Sequence, residues 1–407
     1  MRLRLIVVSL CLILLSISVP LSTAQEDRLQ IVASHSILAD VVENVVGEVA
    51  DVVSTMPVGA DPHSFVPVPR DLITLAEADV VFINGAFFEE GLLESIENAG
   101  VDMNVVTASS CVSVIAFGDE DHDHGDEDHH DENDHSDEEH HDDDDHGDEE
   151  HHEDDPAEDH HTEAEGTETG LASLCEAHRA ELNTADSNYN TIGMLYEVEC
   201  GGDTHDHDEH DSGEDRDHTE EAHDHGICDP HVWMDPANVM YWTLMIRDNV
   251  VELDPANADV YTANAQAYLE ELDALVSDFM TPVVASVPDD NRTLVTNHDS
   301  LGYFAARNGF EIVGTIIPGG ATLDDPSATD IAELITLIRD EAVPAIFAET
   351  TISDRVVRQI ADESGVEVAV LFSGSLSDAD GPASTYIDYM RYNITTVIEA
   401  LGGSIGS

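Results

Sequence analysis

Lysine is absent from this chain of 407 residues, and its 13 basic side chains, all arginine, face 88 acidic ones. A formal net charge of −75 argues against a surface that holds nucleic acid or anionic lipid by counter-charge. Such a balance suits a cation as ligand, or a saline environment. No His-Glu-x-x-His stretch occurs, and no Cys-x-x-Cys. The first absence removes the helical signature of a zinc hydrolase, and the second weighs against a close-spaced cysteine metal site. Beyond the first two dozen residues there is no apolar run long enough to span a bilayer.

What is present begins with a leader-like segment. Arg2 and Arg4, an apolar stretch from Leu5 to Leu15 and the small residues Ser22-Thr23-Ala24 read as a secretory signal over 1–24, with cleavage after Ala24 expected. An uncleaved anchor is the alternative. Cys11 lies inside the apolar stretch, a poor place for lipid attachment. Four cysteines remain, Cys111, Cys175, Cys200 and Cys228, and an even number in an exported chain favours disulfides. Of the three possible pairings, Cys111–Cys228 with Cys175–Cys200 is preferred, because it closes the base of an insertion and staples a small unit within it. A Cys/His zinc site is the rival.

That insertion, 119–225, carries 19 of the 23 histidines, and 44 of the 88 acids lie between Asp119 and Asp224. Its flanks are almost entirely Asp, Glu and His, with no apolar face to offset ordering entropy, so disorder is expected there. Leu171 to Cys200 is more apolar and is expected to fold as a small hairpin or helix–strand unit. Pairs such as His122/His124, His129/His130 and His205/His207 are spaced to bind several divalent ions weakly, since each ion must order flexible chain. A solvated spacer is the plainer alternative.

The four remaining histidines are His35, His63, His231 and His298. His63 and His231 each sit in an Asp-Pro-His tripeptide, where proline biases its neighbour towards turn or extended geometry. His298 stands in Thr296-Asn297-His298-Asp299, where a strand-like run breaks into a turn. Three histidines on turns, far apart in sequence, suggest one metal site assembled by folding. Asp61, Asp229 and Asp299 beside them, and Glu349 at a strand end, are candidates to orient the rings. His35, after the first strand, is expected to be structural.

Five segments in order carry a resemblance: Gly59 to Phe65 with Pro69-Arg70-Asp71, Asp229 to Pro236, Thr296 to Phe304, Glu349 to Arg355, and Gly381 to Tyr386. Together they resemble the solute-binding proteins of zinc and manganese ABC importers. The resemblance implies metal ligation by His63, His231 and His298. It also implies a fourth ligand from a late loop, where Gly374 occupies the usual Asp position. Asp378, Asp380 or a water is left to complete the tetrahedron, with Asp378 preferred. His298 replaces the Glu of manganese members, and nitrogen in place of a carboxylate favours Zn2+ over manganese.

Apolar periodicity gives alternating strands and helices from Leu29 to Thr107 and again from Thr293 to Leu401, hence parallel α/β sheets. Between them, Asp254-Pro255 opens a helix of about 30 residues, roughly 45 Å. The expected fold is α/β: two lobes, each a mostly parallel sheet flanked by helices, joined by one long linking helix, with the metal site in the interlobe cleft. Expected boundaries are 25–253 for the first lobe with its insertion, 254–287 for the helix and 288–407 for the second lobe. Function reads as an exported, monomeric zinc receptor that serves an ABC permease and is not an enzyme. A manganese receptor and a zinc-buffering protein are the alternatives.

Overall fold

The computed structural model describes residues 28–99, 103–117, 164–182, 191–198, 200, 227–317, 322 and 326–406. The leader and the two acidic tracts, with His122, His124, His129, His130, His205 and His207, lie outside the described residues. Among the described residues no helix is long and apolar enough to cross a membrane.

Two four-stranded parallel sheets form the frame. The first contains β1 (Leu29–Ala33), β2 (Ala50–Ser54), β3 (Val80–Ile83) and β4 (Val105–Thr107), in the order β2-β1-β3-β4. Its crossovers are α1 (Ser36–Val46), α2 (Pro69–Ala76) and α3 (Glu90–Ala99). Next come the short strand β5 (Ser113–Val114), α4 (Ala164–Leu182), β6 (Gly193–Met194), which pairs antiparallel with β5, and α5 (Pro236–Leu253). A long helix, α6 (Ala258–Ala274), continues through a π-helical stretch, Leu275–Met280, into Thr281–Val284. The second sheet is built from β7 (Thr293–His298), β8 (Glu311–Ile317), β9 (Ala345–Glu349) and β10 (Glu367–Leu371). With α7 (Gly302–Asn308), α8 (Ala328–Asp340), α9 (Arg355–Ser364) and α10 (Tyr386–Ala400), it has the order β10-β9-β7-β8.

Each sheet is covered on both faces, and its strands show why. In β1, Ile31 and Ala33 face the central core while Val32 faces α2 and α3. In β9, Ala345 and Phe347 face the centre while Ile346 and Ala348 meet α8 and α9. A period of two with apolar residues on both faces is what a sheet buried on both sides requires. The central core runs without a break from the first sheet through α1, α5, α6 and α10 to the second.

The buried stripe of the long helix is Tyr261, Ala265, Tyr268, Leu272 and Leu275, then Met280, Val283 and Val284. Its steps of four and three give way to a step of five where the helix turns π-helical, so one extra residue rephases the stripe. The helix opens later than expected. Asp254 instead accepts hydrogen bonds from Tyr261 Oη at 2.8 Å and Asn257 Nδ2 at 2.7 Å around a 3-10 turn, Pro255–Asn257.

The disulfides correct the expected pairing. Cys111 bonds Cys175, and Cys200 bonds Cys228. The middle of the insertion is therefore not stapled to itself but pinned to the lobe at two points. Cys175 lies on the face of α4 that packs with Cys111 against Met245. On the same helix, His178 pairs with Asp248 at 2.7 Å, and Glu181 pairs with Arg247, both partners on α5. The β5–β6 pairing then returns the chain towards Cys228, and Ala116 bridges Cys228 directly.

Candidate metal centre

Parallel strands end at the same side of each sheet, and the loops that leave those ends meet between the lobes. His63 is in the loop after β2. A turn closes there through Ala60 N–H donating to Pro57 O at 3.0 Å. Gly59, at φ +80°, supplies the left-handed residue this path needs. Asp61 Oδ1 accepts the His63 backbone N–H at 3.1 Å, and Asp61 Oδ2 accepts the hydroxyls of Ser64 and Thr322. His231 follows Cys228 by three residues. Asp229 Oδ1 accepts both its backbone N–H, at 2.9 Å, and its ring Nδ1–H, at 2.8 Å. His298 ends β7, and its Nδ1 lies 2.7 Å from Oε1 of Glu349, the last residue of the adjacent β9. Ser300 Oγ donates to the same Oε1 at 2.9 Å.

With Nδ1–H of two rings committed to carboxylates, Nε2 of each carries the lone pair that can ligate. His63 Nε2 and His231 Nε2 are 3.1 Å apart, and the ligand atoms of all three residues lie within 4.8 Å of one another. Nitrogens about 2.0–2.1 Å from a tetrahedral zinc stand about 3.3–3.4 Å apart, so small ring movements bring these three into coordination distance. His231 and His298 are 1% and 2% exposed, and His63 is half-buried.

Charge in this enclosure is arranged in opposition. Burial, reinforced by His298, drives the His231 ring down to about 3. For His298, burial pulls downward, but the Glu349 carboxylate outweighs it and the net shift is upward. For Glu349, burial pulls upward, but His298 outweighs it and the net shift is downward. Asp229 is raised to about 7 by burial, although the His231 N–H opposes that. His231 is therefore held neutral, the state in which an imidazole can ligate.

Of the expected site residues, the fold brings together His63, His231 and His298, with Asp229 and Glu349 behind two of them. Asp378 is not in the cluster: it is exposed, on a turn where its carbonyl accepts the Gly381 N–H at 2.8 Å. Asp380 is exposed as well. Gly374 is buried and offers no donor, and the space a Cβ would enter holds the Pro62 ring, 2.7 Å from Cγ. His35 stands apart from the cluster, enclosed by Phe88, Trp233 and Trp242.

Gly302 was not foreseen as a site residue. A Cβ there would lie 2.4 Å from Asp229 Oδ2, while Tyr303 Oη donates to Asp229 O at 2.9 Å. Asp229 of the first lobe is thus seated on the second. Only the proximity of Gly302 to His298 in sequence hinted at this.

Fold and cluster together define a two-lobed α/β binding protein whose cleft gathers imidazole nitrogens. Residues 31–400 match the family described as ZnuA, zinc-uptake complex component A, periplasmic, and the chain belongs to that family. Its members are exported substrate-binding receptors for metal import, not enzymes. The manganese-binding lipoprotein MntA of Halalkalibacterium halodurans is 25% identical over 376 residues, 92% of this chain and 89% of that protein. The zinc-binding protein TroA of Treponema pallidum is 34% identical over 179 residues, 42% of this chain and 57% of that protein. Its solved structure superposes with a TM-score of 0.62 at 22% identity, covering 92% of this chain and 99% of that one. A manganese-bound periplasmic metal binding protein from Candidatus Liberibacter asiaticus superposes with a TM-score of 0.60 at 20% identity, covering 92% and 100%. These structural likenesses are likenesses of fold.

Proposed function

We propose that this chain is a zinc receptor: it captures Zn2+ between the lobes through Nε2 of His63, His231 and His298 and delivers it, as a monomer, to the permease of an ABC importer. The observation that carries this reading is the convergence of three imidazoles with, among the described residues, no carboxylate in the cluster of donors. Borderline-soft nitrogen suits zinc, whereas manganese is better served by carboxylate and water. Asp229 and Glu349 accept the Nδ1–H of His231 and His298, which fixes tautomer and aim before the ion arrives. A solvent water is the natural fourth ligand, since neither Gly374 nor Asp378 supplies one. The lobes are assigned to 25–253 and 288–407 with 254–287 as the connecting helix. The histidines of the acidic tracts, His122, His124, His129, His130, His205 and His207, are assigned to weak secondary binding.

A manganese receptor is the second reading, favoured by the manganese-binding name of the H. halodurans relative. Competitive titration of the purified chain with Zn2+ and Mn2+, followed by metal analysis, separates the two. Zinc is expected to displace manganese. Each of His63→Ala, His231→Ala and His298→Ala is expected to weaken zinc binding by more than about tenfold, the loss of one ligand from a tetrahedron. Tighter manganese than zinc binding would reverse the assignment, and an unaffected alanine variant would remove that histidine from the site.

A further inference from the structure

The loop that carries His63 leaves β2 at Ser54 and reaches α2 at Pro69. Its internal bonds, the Pro57–Ala60 turn and the Asp61 carboxylate on the His63 N–H, shape it locally. They do not determine where it stands relative to His231 and His298. From its own lobe the loop is held where the Thr55 and Met56 N–H groups donate to Ala33 O and Ser34 O, and the His63 ring meets Phe88 edge-on at 5.4 Å; further contacts reach it from across the cleft. Ser375 Oγ accepts the Gly59 N–H at 2.7 Å. The buried Pro62 ring rests on the bare Cα of Gly374, with Cγ and Cδ at 2.7 and 2.8 Å from where a Cβ would be.

We propose that the Ser373–Leu376 turn of the second lobe positions His63, with Gly374 and Ser375 as its working residues. The turn is itself firmly held. Leu376 N–H donates to Ser36 Oγ at 3.0 Å at the start of α1, and Ser375 Oγ donates to Leu376 O at 3.0 Å. At its other end, Ser373 O accepts from Tyr389 Oη at 2.8 Å and from the indole N–H of Trp233 at 3.2 Å. Trp233 is two residues past His231, so one turn touches the segments that carry two of the three ligands. A proline ring cannot rotate out of the way as a flexible side chain can. Any Cβ at 374 must therefore displace Pro62, and with it the next residue, His63. Ligands must be held within about 0.5 Å of working geometry, so a small displacement is felt. His63 and His231 share the first lobe, so it is His298 of the second that His63 meets only when the lobes are seated on each other, and capture of the ion by all three is coupled to that seating.

This inference rests on the proposed zinc site and deepens it. The experiment measures Zn2+ affinity by chelator competition for Gly374→Ala in two backgrounds, the parent and Pro62→Ala. Co2+ absorption and the unfolding midpoint of the metal-free protein are followed in parallel. With Pro62 present, Gly374→Ala is expected to weaken binding about tenfold or more and to alter the Co2+ spectrum. In the Pro62→Ala background it should cost less than about threefold, because the ring it would displace is gone. Ser375→Ala, which adds no volume, removes the hydroxyl that accepts the Gly59 N–H and donates to Leu376 O, and should weaken binding about three- to tenfold, more than the accompanying fall in the metal-free midpoint accounts for. Equal losses for Gly374→Ala in the two backgrounds would overturn the proposal, as would parent-like binding by Ser375→Ala. His63→Ala serves as the reference. If it binds zinc as the parent does, the zinc site itself is wrong; if it loses binding while the turn variants do not, only the positioning role fails.

Discussion

His35 is 1% exposed, both of its ring nitrogens lack a hydrogen-bond partner, and aromatic rings surround it. Burial alone holds its pKa down to about 3, against 6.5 for an ordinary histidine. Between those values the unfolded chain binds the proton and the folded chain does not, so acid favours unfolding. Stability from this residue is complete above pH 6.5 and falls by about 1.4 kcal/mol per unit as the pH drops towards 3. Glu89, bonded to the neighbouring Ser34 hydroxyl at 2.6 Å, is displaced the other way, raised to about 7 by burial. It takes up its proton in the folded state and gains stability as the pH falls from 7 to 4.5, partly masking His35. A difference measurement isolates the histidine. In urea unfolding from pH 7 to 4, the stability of the parent relative to His35→Leu should fall as the pH falls, because only the parent has this histidine to protonate. A constant difference would count against the buried neutral ring.

At the scale of elements, much was legible before any coordinates. Strands such as Val80–Ile83 and Ala345–Glu349 are short, wholly apolar or nearly so, and bounded by polar turns, so burial on both faces declares itself locally. The candidacy of the three histidines that cluster was legible for a related reason: their neighbours encode turns, and a turn is a local matter. What stayed hidden was decided by docking. The cysteine pairing depends on α4 packing against α5 through His178–Asp248 and Glu181–Arg247, contacts that span 70 and 66 positions. No pattern within the insertion announces them. The seat of Pro62 on Gly374 and that of Asp229 on Gly302 are hidden likewise, since a glycine's use depends on what approaches it. The pairing is open to direct test. Non-reducing peptide mapping should recover Cys111 with Cys175 and Cys200 with Cys228. Replacing the second pair by serine should weaken zinc binding, because Cys228 stands three residues before His231, while replacing the first should loosen α4 and leave affinity near the parent's. A recovered Cys111–Cys228 peptide would contradict this arrangement.

At the scale of the molecule, the proposed function gives one chain two metal-binding regions of different physics. In the cleft, strand ends and buried carboxylates hold the imidazoles in place before the ion arrives, so little order is lost on binding. For the acidic tracts, 119–163 and 201–226, which lie outside the described residues, weak secondary binding is proposed, since any backbone an ion had to order there would cost about 1–2 kcal/mol per residue fixed. Their charge raises the local concentration of cations, which suits gathering ions for the cleft. Deleting 119–225 as one block would be a poor test, because it removes α4 and breaks both disulfides. The informative variants remove 119–163 and 202–225 and keep α4, Cys175, Cys200 and Cys228. Calorimetry should then show the tight phase intact and a weaker multi-ion phase lost. In the full chain, that weak phase should fade below about pH 6, because an imidazole that takes up a proton gives up the lone pair with which it ligates. Removing the tracts should also reduce the gain in stability from added salt, because the self-repulsion that salt screens is then smaller. Loss of the tight phase in the doubly deleted chain, with α4 still docked, would move the primary site into the tracts and make the protein a buffer of zinc rather than its receptor.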